Sequence, residues 1–132
     1  MGQQQLHLVV LGAILVFFSI AVGITSFNSN SVQSNRDAVI ADLNYLSIMA
    51  RGYYKKSDSL GGGNNDFIGF EIPGSLESNE NGSYSIVSSS AQKIIFEGKG
   101  IEIAAGGGCN ESEYVQYNLI VEPGENELVL IR

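Results

Sequence analysis

The amino-acid sequence predicts an α+β protein: one long N-terminal helix, apolar in its first half and amphipathic in its second, packed on a small antiparallel sheet of four to five strands. Three patterns carry that prediction. Residues 8–27 are apolar apart from Ser19, Thr25 and Ser26; residues 39–53 repeat apolar side chains at helical spacing; and from Asp66 the period falls to two between Gly, Pro and Asn-Gly breaks. They divide the chain into an apolar transmembrane or packing helix over 1–30, an amphipathic continuation over 31–58, and a Gly-rich connection with a β-domain over 59–132.

The first segment, LVVLGAILVFFSIAVGITSF, has a length that spans about 30 Å of hydrocarbon at ~1.5 Å per residue. A charge in its middle would cost roughly 2.5 kcal/mol or more on insertion, and the segment has none. Gly12, Ala13, Ser19, Ala21 and Gly23 leave room for a second helix to approach closely. A cleaved secretory signal is a competing reading, with Ala21-Val22-Gly23 as the small-residue cut. Against it stand an n-region, MGQQQLH, without Lys or Arg, an apolar run longer than a typical signal, and helical patterning that continues past the cut. A plain single-pass anchor uses the same run and asks nothing special of the N-terminus.

Past the Asn/Ser stretch 28–34, which permits a local break, Val39, Leu43, Leu46, Ala50 and Tyr53 recur at 4-3-4-3 spacing, with Ile40 and Met49 widening the stripe. Arg36, Asp37, Asp42, Asn44, Ser47 and Arg51 are expected on the opposite, solvated side. Ser57-Asp58-Ser59 and the run Gly61 to Asn65 end the helix. A continuous helix to Lys56 would be ~80 Å long and would call for partners along its length.

The β-domain is expected to begin with a strand over 66–72, where Ile68, Phe70 and Ile72 alternate with Phe67, Gly69 and Glu71 up to Pro73-Gly74. A loop over 75–81 leads to the Asn81-Gly82 turn and a strand through Tyr84, Ile86 and Val87, with a turn over 88–91. Lys93 to Glu97 forms the next strand, with Gly98 and Gly100 marking a bulge before Ile101 to Ile103. Gly106 to Gly108 opens a loop. Val115, Tyr117, Leu119 and Val121 share one face of the following strand, and Pro123-Gly124 turns into a last strand over 128–131. Strands this short are marginal alone, so they need the helical stripe as a cover.

Charge narrows the range of functions. All seven basic and fourteen acidic residues lie from Arg36 onward, and the formal net charge is -7, which offers no basic surface to nucleic acid or anionic lipid. No catalytic, cofactor or metal site is predicted. His7 is the sole histidine, Cys109 the sole cysteine, and Glu111 and Glu113 beside it lack the spacing of a calcium loop. The triple glycines lack the Lys-Ser/Thr of a phosphate loop, and the aromatics read as packing groups. Asn81-Gly82-Ser83 and Asn110-Glu111-Ser112 match the N-glycosylation pattern, which makes Asn81 and Asn110 candidates for modification.

The opening Gln5-Leu6-His7-Leu8-Val9-Val10, followed by Gly12-Ala13-Ile14-Leu15, resembles the start of type IV pilins, and the order of parts resembles theirs over the whole chain. Bacterial members usually have a Glu at the fifth mature residue, a Pro in the apolar helix and a C-terminal Cys pair; this chain has none of these. Gln5 takes the Glu position if Met1 is the first mature residue. His7 takes it if a prepilin peptidase cuts after Gly2, so both are candidates for setting subunit register. The resemblance implies a major pilin, a structural subunit of an extracellular helical filament for adhesion, motility or surface interaction. Leu6, Val9, Val10, Ile14, Phe17, Phe18, Ile20 and Gly23 would then pack in the filament core. The implied partners are many copies of the chain, the inner or cytoplasmic membrane before assembly, and pilus assembly machinery; no enzymatic activity is implied. A membrane-anchored extracytoplasmic binding module and a secretion pseudopilin are the alternatives.

Overall fold

The computed structural model describes residues 2–103 and 114–131. Helix α1 runs Gly2–Lys55, a 3-10 turn covers Asp58–Leu60, and a one-turn helix α2 covers Gly74–Glu77; the strands are β1 Gly82–Ser90, β2 Lys93–Ile103, β3 Tyr114–Val121 and β4 Asn126–Leu130. The Asn/Ser stretch stays helical. The chain divides into two compact units, Met1–Ser31 and Val32–Arg132, and the boundary falls inside α1.

In the second unit the predicted stripe is the core face of the helix. Val39, Leu43, Leu46 and Ala50 are buried, with Ile40, Met49 and Tyr53 packed at the margin. The strands form an antiparallel meander in the order β1-β2-β3-β4. Along β3 every second residue, Val115, Tyr117, Leu119 and Val121, is buried, as the alternation predicts. Ile94 and Phe96 do the same on β2, and each fully buried side chain of this kind contributes about 1.5–3 kcal/mol. The next inward positions on β2 are Gly98 and Gly100. A Cβ on Gly98 would stand 3.0 Å from Val39 Cγ1 and 3.1 Å from Leu43 Cδ1, so the missing side chain is what lets the helix lie this close to the sheet. Pairing with β3 does shift register between Lys99 and Ile103, where a bulge is expected.

The helix ends by being wrapped. The N–H groups of Gly63, Asn65 and Asn64 donate to the carbonyls of Tyr53, Tyr54 and Lys56 at 2.8, 2.7 and 2.9 Å, satisfying acceptors that the last turn leaves open. Positive φ at Gly61 (76°), Asn64 (49°) and Asn65 (68°) reverses the chain to make this possible.

Four sequence expectations need correction. Residues 66–72 are not a strand: Asp66 Oδ1 accepts the Ile68 N–H at 2.7 Å, the Phe70 N–H donates to Phe67 O, and Gly69 takes φ 88°. This local turn points Phe67, Phe70 and Ile72 into the core and leaves Ile68 exposed, a spacing that alternation mimics only in part. Strand β1 continues through Ser90, with a bulge between Ile86 and Ser88, so no turn occupies 88–90. Part of the expected 75–81 loop is helix α2. Finally, Ser47 is buried rather than solvated, because at ~100° per residue it sits only ~40° from Leu43. Its hydroxyl donates to Asn44 O at 2.7 Å and accepts from Asn126 Nδ2 at 3.1 Å. Arg36, Asp42 and Arg51 are half-buried flanks of the stripe, leaving Asp37 and Asn44 exposed.

Candidate membrane and assembly surface

In the first unit the helix presents apolar side chains with nothing covering them. Leu6, Val9, Val10, Ile14, Phe17, Phe18 and Ile20 range from 45% exposed at Ile14 to 75% at Phe17. The helix is long and apolar enough to cross a membrane, and none of its most apolar stretch is buried. At ~100° per residue the large side chains occupy a broad sector, while Gly12, Ser19 and Gly23 fall together on the remaining side with Gln5. Gln5 and His7 are ~200° apart around the axis by the same count, so a single neighbouring helix would meet one or the other.

Three polar side chains here bond back to the helix itself. Ser19 Oγ donates to Leu15 O at 2.8 Å, Thr25 Oγ1 to Val22 O at 2.9 Å, and His7 Nδ1 lies 2.6 Å from Gln3 O. A hydroxyl bonded back to its own helix enters hydrocarbon without leaving a donor open, which makes this surface compatible with lipid or with apolar helices.

The second unit holds a polar cluster that sequence reasoning missed. Oδ2 of Asp42 on α1 accepts from the Tyr84 hydroxyl at 2.7 Å, Asn79 Nδ2 at 2.8 Å and Asn81 Nδ2 at 2.9 Å. Asn79 Oδ1 in turn accepts the N–H groups of Asn81 (2.9 Å) and Gly82 (3.1 Å), building the turn that opens β1. Asn35 closes the cluster: its amide donates to Asn81 O at 2.8 Å and its oxygen accepts the Glu102 N–H at 3.3 Å. Partial burial pushes the Asp42 carboxyl upward, but hydrogen bonds from Asn81, Tyr84 and Asn79 outweigh it and hold the group below its ordinary value. Burial, followed by the hydrogen bond to Asp42 and its charge, drives the Tyr84 hydroxyl well above its usual range. Asn35 and Asp42 are seven residues apart and therefore on one side of α1; that spacing was the available signal.

Asn81 lies in the predicted turn, and a sugar on its Nδ2 would leave that nitrogen a single N–H for the bond to Asp42. Asn110, Cys109, Glu111, Glu113 and the Gly106 to Gly108 loop lie outside the described residues. Among the described residues no cluster of three His, Cys, Asp or Glu side chains is placed to hold a metal. Tyr53 and Tyr54 turn inward, their hydroxyls bonding Ile68 O and Gln92 Oε1, each at 3.1 Å. No family model, curated protein or solved structure matches the chain. The fold and the surface together define an α+β protein with an uncovered N-terminal helix of membrane-spanning length.

Proposed function

We propose that this protein is a type IV pilin-like subunit, held in a membrane by its N-terminal helix before assembly and built through the same helix into an extracellular filament for adhesion, motility or surface interaction. The observation that carries the reading is the uncovered apolar helix, whose Ser19 and Thr25 hydroxyls are bonded internally and which continues into the core helix of a packed α+β domain. Its surface suits two apolar environments in succession. Lipid satisfies it first, and neighbouring copies satisfy it afterwards, with Leu6, Val9, Val10, Ile14, Phe17, Phe18 and Ile20 packing and Gly23 allowing close approach. A head-to-tail contact that does not close gives an open helical array, and the acidic domain faces water. Register would rest on hydrogen bonding or packing by Gln5 or His7 in place of a carboxylate.

The test joins electron microscopy of producing cells with disulfide cross-linking of Val10→Cys and Ile20→Cys variants. Thin filaments whose cores cross-link between copies support the reading. Monodisperse protein extracted only in detergent, with no filaments on cells and no core cross-links, overturns it in favour of a simple anchor.

A further inference from the structure

The sheet has two edges of opposite character among the described residues. At one edge β4 is lightly guarded: Leu128, Val129, Leu130 and Ile131 are 39–54% exposed, and the strand contains no Lys, Arg or Pro and a single charged residue, Glu127. At the other edge β1 is closed at its ends and open between them. Ser78 bridges Ser83 at one end, and the Phe67 N–H donates to Ala91 O at 3.3 Å at the other. Within the stretch 84–88 between them, Tyr84, Ser85 and Ile86 border a cavity of about 580 Å³ that is also lined by Phe70, Glu71, Ile72 and Glu77. That open stretch is matched in length by β4, which has 5 residues.

Direction and register match as well. In a four-stranded meander the first and last strands run in opposite directions, so two copies in the same orientation bring β4 of one antiparallel to β1 of the next. Cross-strand rows run Ile86–Phe96–Leu119–Leu128 and Tyr84–Gly98–Tyr117–Leu130. A neighbour placed in row therefore sets Leu128 against Ile86 and Leu130 against Tyr84, on the face that borders the cavity.

We propose that β4 of one copy adds to the open stretch of β1 in the next, with Leu128 and Leu130 entering the cavity beside Phe70, Ile72 and Ile86, so that the outer domains join edge to edge in a continuous sheet. This rests on the filament reading, which supplies copies in one orientation.

Cysteine pairing in full-length protein tests it, in a Cys109→Ser background with Ser85→Cys and Val129→Cys combined. Both positions are exposed. Within one copy they lie on opposite edges of the sheet, ~14 Å apart at ~4.8 Å per strand, beyond the ~7 Å that a disulfide tolerates between Cα atoms. Any disulfide is therefore between copies. Oxidised filaments should give a ladder of dimers, trimers and longer species on non-reducing gels, with Ser83→Cys or Val87→Cys in place of Ser85→Cys covering a staggered register. Val129→Lys should lower the temperature at which filaments dissociate and leave the melting of detergent-held monomer unchanged. Filaments whose Val10→Cys and Ile20→Cys cores cross-link, but which give no ladder from any of the three pairs and are indifferent to Val129→Lys, overturn this inference alone. Failure of the core cross-links, with no filaments formed, overturns the filament reading and this one with it.

Discussion

Asp42→Asn removes one charge from the centre of the polar cluster and nearly preserves its shape. Three donors converge on one oxygen at 2.7, 2.8 and 2.9 Å, from a tyrosine and two asparagines. A hydrogen bond to a charged group contributes ~1.5–3 kcal/mol and a neutral one ~0.5–1.5, a difference of about 1 kcal/mol per bond. Because the three bonds share one acceptor and are not additive, the substitution should lower the unfolding free energy by about 2–3 kcal/mol at neutral pH. The assay is urea unfolding of full-length protein in detergent, followed by circular dichroism, for both proteins across pH. The sign follows from the depressed folded-state pKa of Asp42. Its contribution is fully present above the unfolded value of ~3.9 and is lost as pH falls through the lower folded value. The gap between wild type and Asp42→Asn should therefore be constant above about pH 5 and narrow below about pH 4, while other carboxyls titrate equally in both. A gap that is the same at pH 6.5 and at pH 3, or no gap at all, refutes the assignment of Asp42 as the charged centre of the cluster.

Three further outcomes are expected. Gly98→Ala should destabilise the domain by about 1–3 kcal/mol in the same urea assay, because the new Cβ meets the buried Val39 and Leu43 side chains at 3.0 and 3.1 Å and forces them to shift. Lys93→Ala should change stability by less than ~1 kcal/mol, since its ion pair with Glu122 at 3.3 Å is about half exposed on both sides (46% and 48%). Ile14→Asp places a carboxylate in the uncovered helix at a cost of roughly 2.5 kcal/mol or more. Membrane fractionation should show the variant depleted from the membrane, and the proposed filament assembly requires that micrographs of it show no filaments.

What the sequence disclosed and what it hid follow from the range of each interaction. Helical spacing identified Val39, Leu43, Leu46 and Ala50, and alternation identified Val115, Tyr117, Leu119 and Val121, because each pattern reports one element facing one core. The apolar helix was legible from composition alone. The 66–72 segment misled because two of its inward residues, Phe67 and Phe70, are three apart in a turn closed by the Asp66 side chain, a contact that periodicity cannot register. Asp42 stayed hidden because its partners lie 37 to 42 residues away, and its depressed pKa exists only once Asn79, Asn81 and Tyr84 have been brought to it. The glycines of β2 were recognised as special, yet their use depends on the helix above them, which no local pattern announces.

The boundary between the two units lies within α1, at Ser31 and Val32, and not in a connecting loop. The same helix supplies the lid of the sheet, through Val39, Leu43, Leu46 and Ala50. A fragment beginning at the apparent natural joint after Lys56 would expose the inner face of the meander and should aggregate, whereas one beginning near Val32 carries its own cover. During synthesis the covering residues also emerge before any strand does, so each strand, as it appears, meets an apolar surface that is already waiting.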